Sequence, residues 1–298
     1  MPTRSRTVRL PNKKVIQSID VDSRGEQLAI GQERLTLMSL VTQNVTHTLD
    51  VGTGENVLWA RWSPDGSKVA FTDTRQRASV YHLATKSTRD IPLEDPDIQW
   101  LDYARASDRV LIGGQRLHVW DDAKQRLIWE LEPAQELLEV PLVGCLSPDG
   151  ETVAVVGSER GVVLLYKVGG KRPTHRLETA PDSGRWLGFD PTMRYVACLE
   201  SHAHGLFVWD LKTRKRHLPD TFNDELTVFW SVRFAPSGKQ IAMGTLGGAV
   251  WVQSLKDGAL LYNEKEHKRR VWDIAFTPDG SELFSGGDDH TLRYRSWS

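Results

Sequence analysis

Apolar residues in this chain fall into short runs separated by turn residues. Val57-Leu58-Trp59-Ala60-Arg61-Trp62 meets Ser63-Pro64-Asp65-Gly66, and Val69-Ala70-Phe71 follows directly. Runs this short, rich in β-branched and aromatic residues and bounded by Pro, Asp and Gly, predict strands joined by tight turns. In Thr277-Pro278-Asp279-Gly280, Pro presets φ and Gly supplies the positive φ that reverses the chain at low steric cost. No segment sustains a capped 3.6-residue apolar period, and Glu132-Pro133-Ala134-Gln135-Glu136-Leu137-Leu138-Glu139-Val140 is the one candidate for a helical turn.

The same block recurs along the whole chain. VLWARWSPDGSKVAF at 57, VPLVGCLSPDGETVAVV at 140, VFWSVRFAPSGKQIAMG at 228 and VWDIAFTPDGSELFSGG at 271 are clear copies, with weaker ones from 16, 98 and 186. Aligned on Gly25, Gly66, Ser107, Gly150, Met193, Gly238 and Gly280, they are separated by 41, 41, 43, 43, 45 and 42 residues. A period of ~40–45 residues, each reading strand, turn, strand, loop, strand, turn, strand, is what four-stranded propeller blades require. The expected fold is an all-β, seven-bladed β-propeller forming one domain over 1–298, with blades near 12–52, 53–94, 95–136, 137–179, 180–223, 224–266 and 267–298.

The last blade lacks a strand, because the chain stops at Ser298 soon after Thr291-Leu292-Arg293-Tyr294-Arg295. Arg6-Thr7-Val8-Arg9-Leu10 precedes the first blade and has no other place in the repeat. It is expected to complete the last blade from outside and so close the ring, removing exposed sheet edges.

Composition narrows the function classes. Lys plus Arg numbers 38 against 39 Asp plus Glu, so the net charge of −1 excludes a globally polycationic or polyacidic protein. No apolar stretch approaches the ~20 residues of a membrane helix, so no membrane partner is expected. The basic, polar N-terminus lacks the apolar centre of a secretory signal. Cys145 and Cys198 sit in apolar runs as expected core residues, which fits a reducing, cytoplasmic location.

The last blade resembles a WD repeat. His267, then Val271-Trp272-Asp273-Ile274-Ala275-Phe276-Thr277-Pro278-Asp279-Gly280, then Ser285-Gly286-Gly287-Asp288-Asp289-His290-Thr291, follow that family's pattern. The resemblance implies a buried hydrogen-bond network of His267, Ser285 and Asp289, incomplete here because Arg295 stands where the family has Trp. The name-giving pair ends the third strand as Trp120-Asp121 and Trp209-Asp210, with Tyr81 and Tyr166 in that place elsewhere. The resemblance covers essentially the whole chain, with degenerate repeats.

No nucleophile elbow, phosphate loop, H-E-x-x-H or paired C-x-x-C is present, and no cofactor is expected. His202 and His204, with Asp288-Asp289-His290 in the matching loop two blades on, are the best support for a metal-dependent enzyme. Against it, polar loops often hold such residues without a ligand, and Asp289 already has a structural use.

Trp230 and Trp272 share one repeat position, occupied elsewhere by Gln17, Leu58, Gln99, Leu142 and Arg185. In propeller geometry this point lies near the top rim of the central channel, where large aromatics either anchor a partner or fill space between blades. Trp59, Trp100 and Trp186, one position on, are expected to point into the sheet stack. Candidate protein-binding residues are Trp230, Trp272, Arg270, Leu58, Arg185 and Leu246.

Charge separates by loop type. Loops between blades, on the top face, carry Glu94, Asp95 and Asp97, Glu130 to Glu139, Glu178 with Asp182, and Asp220 through Glu225, with Lys265 to Arg270 as a basic exception. Turns between third and fourth strands, on the bottom face, carry Lys86, Arg89, Lys124, Arg126, Lys171, Arg172, Arg176, Lys212, Arg214, Lys215 and Arg216. Solvated turns account for such runs, yet one sign shared by successive blades also steers an oppositely charged partner. The leading expectation is a non-catalytic scaffold or adaptor docking one or more proteins; a nucleic-acid-associated subunit using the basic turns and a metal-dependent propeller enzyme are the alternatives.

Overall fold

The computed structural model describes residues 5–8, 10–11, 13–131, 143–157, 161–179, 183–200, 205–218 and 227–297, without the side chains of 183–185 and 200. These residues form seven four-stranded antiparallel sheets and, among them, no helix. The sheets are the blades of a propeller. Their inner strands, Ser18–Val21, Val57–Trp62, Trp100–Tyr103, Val143–Leu146, Ser183–Phe189, Phe229–Phe234 and Val271–Phe276, pack each on the next, and the last returns to the first. Seven blades, the number the repeat count predicts, surround one channel. The candidate helical turn at 132–140 lies outside the described residues.

Sequence period dictates what each strand buries. The first three strands of a blade read as nearly unbroken apolar runs because a neighbouring blade covers each face, as in Val162–Lys167. Outer strands alternate: Val45–Asp50 is half-exposed at every second residue. The apolar side chains form seven clusters, one in each seam between consecutive blades. Cys145 and Cys198 are both buried and unbridged.

The repeated turn works as its residues dictate. Gly25, Gly66, Gly150, Gly238 and Gly280 all have φ between 64° and 75°, and Met193 holds the same left-handed conformation at 62°. In Trp120-Asp121 and Trp209-Asp210 the indoles are buried, while the carboxylates cap the next turn, Asp121 accepting from the Lys124 N–H and Asp210 from those of Lys212 and Thr213.

The closing strand forms as expected, over Arg6–Val8 among the described residues. It pairs antiparallel with Leu292–Ser296 in the register Arg6 to Tyr294, Thr7 to Arg293 and Val8 to Leu292. Val8 is buried in the seam between the last and first blades, beside Ile16, Ile19, Phe284 and Leu292.

The family network of the last blade is also formed. His267 Nε2 lies 2.8 Å from Ser285 Oγ, and Nδ1 lies 3.0 Å from Asp289 Oδ1. Arg295, in the position of the family's Trp, is buried against Glu266, with its guanidinium 4.3 Å from the Tyr262 ring centre. Burial would raise the Asp289 carboxyl, but bonds from His267, Thr291 and the Lys268 N–H outweigh it and hold the group well below the usual carboxylate range. A depressed folded value contributes stability above the unfolded value of ~3.9 that is lost as pH falls through the folded one. Asp289→Asn should therefore be less stable than wild type at neutral pH, the two converging in strong acid. Urea titrations across that range check this, and a gap independent of pH would refute it.

Candidate functional site

Three of the seven inner strands carry a β-bulge at the position singled out by the repeat. Val57 pairs with Asp73 and Trp59 with Thr72, which leaves Leu58 unpaired. Phe229 and Ser231 likewise skip Trp230, and Val271 and Asp273 skip Trp272. A bulge leaves its extra residue out of the ladder and re-aims the side chain. Leu58, Trp230 and Trp272 accordingly turn into the channel, where Gln17 and Gln99 join them. The fifth blade has a register shift between Ser183 and Trp186, but the side chain of Arg185 lies outside the described residues, as does Leu142. The expectation that this repeat position faces the channel is met at five of its seven places, and no sequence rule used above anticipates the bulges that achieve it.

At the channel mouth Trp230 and Trp272 meet edge to face, with ring centres 5.4 Å apart and planes at 86°. Arg270 lies over both, its guanidinium carbon 4.0 Å from the Trp230 ring centre and 4.5 Å from that of Trp272. Asp288 fixes the group from the other side, accepting the Trp272 Nε1–H at 2.5 Å and lying 3.6 Å from Arg270 Nε. All four side chains remain partly exposed. The structure thus brings together Trp230, Trp272 and Arg270, grouped as binding candidates from the sequence, and adds Asp288, which the sequence offered only as a metal ligand. Leu246, on the top turn of the sixth blade, is 43% exposed.

Below the mouth the channel encloses about 560 Å³. Trp59 and Trp186 reach across it from the second and fifth blades to within 6.1 Å, centre to centre. This corrects the expectation that both point into the sheet stack: Trp186 keeps one edge in a seam, but its ring meets Trp59 in the channel. Trp100 does belong to a seam, lying over Gly113, where an added Cβ would fall 2.0 Å from the indole.

Beneath the aromatic pair the inner strands place charges that sequence reasoning overlooked. Arg61 and Arg233 stack beneath Trp59 and Trp186 at 4.9 and 3.9 Å, and both approach Asp273 at 3.2 Å. Arg105 bonds Asp20 at 2.6 Å. Burial lowers the Arg233 guanidinium to about 10, against the opposing pull of Asp273. The acids also tie seams. Asp273 accepts the Ile19 N–H, Asp20 that of Trp62 and Asp102 that of Leu146, each across to the following blade. An acid inside runs such as SIDV, WLDY and VWDIAF was the available signal, since a carboxylate among core residues needs a partner.

The charged faces are weaker than the loop sequences imply. On the top face Asp95 is buried, bonding His118 at 3.0 Å and three backbone N–H groups, and Glu33 and Glu55 pair with Lys14 and Arg75. Asp182, 132–139 and 220–225 lie outside the described residues. On the bottom face Asp122 takes Lys68 and Arg89 together and Asp121 takes Lys124, while Arg176 reaches up its own strand to Glu178. Lys171, Arg172, Lys212, Arg214 and Lys215 are exposed, with no carboxylate in ion-pair reach among the described residues. Arg216 instead lies 3.9 Å over the Phe207 ring.

For a metal, His202 and His204 lie outside the described residues, and among the described ones no three His, Cys, Asp or Glu side chains cluster suitably. Asp288 and Asp289 are engaged with Trp272 and His267.

Comparison with known proteins agrees with this geometry. A family model described as "WD domain, G-beta repeat" matches residues 258–295. Protein SOF1 of Saccharomyces cerevisiae is 20% identical over 197 residues, covering 65% of this chain and 39% of that protein. The WD repeat-containing protein SL1-17 of Schistosoma mansoni is 24% identical over 142 residues, covering 48% of this chain and 46% of its own. The chain thus spans less than half the length of these curated relatives. A chain in the crystal structure of the mitotic checkpoint complex superposes with a TM-score of 0.80 at 16% identity, covering 99% of this chain and 91% of that one. The fold makes the chain a seven-bladed β-propeller, and the His267–Ser285–Asp289 network with the matched family model makes its last blade a WD repeat.

Proposed function

We propose that this propeller is a non-catalytic scaffold that docks a protein partner on its top face, centred on Trp230, Trp272 and Arg270. The observation that carries this reading is the bulge-presented Trp pair, with Arg270 stacked on it, at the mouth of an open channel. Tryptophan and arginine are the residues that most often dominate binding energy, and a rigid, partly exposed pair loses little side-chain freedom on contact. Leu58 inside the mouth and Leu246 on the rim extend the apolar surface. The neighbour of known structure comes from a multiprotein complex, in keeping with a docking role. The channel's acids and arginines are spent on one another, so the geometry supports holding a partner rather than transforming a substrate.

Selection of a displayed peptide library against the wild-type protein tests this directly. Enriched peptides should bind Trp230→Ala/Trp272→Ala at least ~30-fold more weakly, the loss expected when a hot spot worth ~2 kcal/mol is removed. Leu246→Asp, at an exposed site, should weaken binding without altering the melt. Peptides that bind both variants as well as wild type would overturn the top-face assignment.

A further inference from the structure

The rims of the fourth and fifth blades carry a second surface, independent of the channel mouth. Lys171 and Arg172 lie on the turn leading into the outer strand Pro173–Glu178, and Lys212, Arg214 and Lys215 on the turn leading into Lys215–Arg216. The two turns belong to adjacent blades on one face. Burial first, and then the nearby Arg214 guanidinium, lower His175 on the fourth blade below its usual range. Five exposed cations thus stand on adjacent blades where the described residues supply no carboxylate in ion-pair reach, whereas on the neighbouring turns Arg89 and Lys124 are paired with Asp122 and Asp121.

We infer that this patch binds the phosphodiester backbone of a nucleic acid. A protein partner of stable affinity needs an apolar or aromatic interface core surrounded by polar rim. The exposed large apolar side chains among the described residues are Val41, Leu127, Leu246, Leu260 and Leu261, and none lies on these two turns. Phosphate contacts need only mobile cations and hydrogen-bond donors, and they carry no requirement for sequence.

Fluorescence anisotropy with a labelled single-stranded RNA of mixed sequence, DNA of the same sequence and a poly-glutamate peptide of matched length tests the inference on the whole chain. With five phosphates engaged, the slope of log K against log salt should be about −3.5, or roughly 100-fold between about 50 and about 200 mM. Lys171→Glu/Arg172→Glu/Arg214→Glu/Lys215→Glu should lose at least ~10-fold in affinity for RNA or DNA and most of the slope. Lys86→Glu/Arg126→Glu/Lys239→Glu/Lys256→Glu, with the same charge change on other blades, should retain binding within about threefold. Equal losses in the two variants would reduce the effect to overall charge and overturn the site. Tighter binding of poly-glutamate than of either nucleic acid would replace it with an acidic-protein surface. Failure here leaves the top-face reading intact, since neither variant touches Trp230, Trp272 or Arg270.

Discussion

Asp273→Ala should destabilise the propeller by about 3–5 kcal/mol, the cost of stripping one partner from a buried ion pair. In melting temperature this is roughly 6–15 °C. Asp273 is 1% exposed and serves four groups: Arg61 and Arg233 at 3.2 Å each, the Ile19 N–H of the first blade at 3.1 Å and the adjacent Ile274 N–H at 2.9 Å. Its loss leaves Arg61, only 2% exposed, with two backbone carbonyls and the Trp59 face as its remaining contacts. It also deprives the seam between the last and first blades of an inter-blade hydrogen bond. Because the site is enclosed, added salt should restore little of the loss. Asp273→Asn keeps an acceptor for Ile19 and should fall between the two proteins. Asp273→Ala/Arg233→Leu should recover part of the deficit, since it removes one of the stranded cations. Denaturant melts of the four proteins decide the matter, and a melt of Asp273→Ala superimposable on wild type would show that the cluster is not structural.

That cluster marks the limit of what the sequence made legible. Recurring turns were readable because a tight reversal demands the same residues each time, and even Met193, without a glycine's freedom, was placed by spacing alone. The shared position of Trp230 and Trp272 was readable for the same reason. Two things were not. The first is the bulge: it depends on a mismatch of one residue between paired strands, which is a property of register and not of either strand's pattern. The second is everything that crosses between blades. Trp59 meets Trp186 from over a hundred residues away, and Asp122 at the end of the third blade's third strand neutralises Lys68 and Arg89 of the second. A repeat describes one blade at a time, so contacts that differ from seam to seam leave no periodic trace. Counting charges loop by loop therefore overstated both faces, because side chains such as Asp95, Arg89 and Lys124 are already paired.

Removing residues 1–10 should abolish cooperative unfolding and drive the protein toward aggregation, because the deletion opens the ring at its one non-consecutive seam. Among the described residues Arg6–Val8 form the ladder with Leu292–Ser296 and cover the outer edge of the last blade. They also add Val8 to the core shared with Ile16, Ile19 and Phe284. Burial of that valine alone is worth about 1.5–3 kcal/mol, and an uncovered strand edge is a template for pairing with another chain. The same blade carries Trp272, Arg270 and Asp288, so loosening it should also release the top-face site. A deletion that merely weakens the fold and one that breaks closure can be separated by where the strand is supplied. In the antiparallel register Arg6 lies opposite Tyr294, which places the start of the closing strand beside the end of the chain. A circular permutant beginning at residue 11 and carrying residues 5–10 after residue 298 can form the same ladder through a short hairpin connection. It should melt cooperatively and stay monomeric, while the simple deletion should not. If the deletion melts like wild type, or if the permutant fares no better than the deletion, the ring is held shut by something other than its first strand.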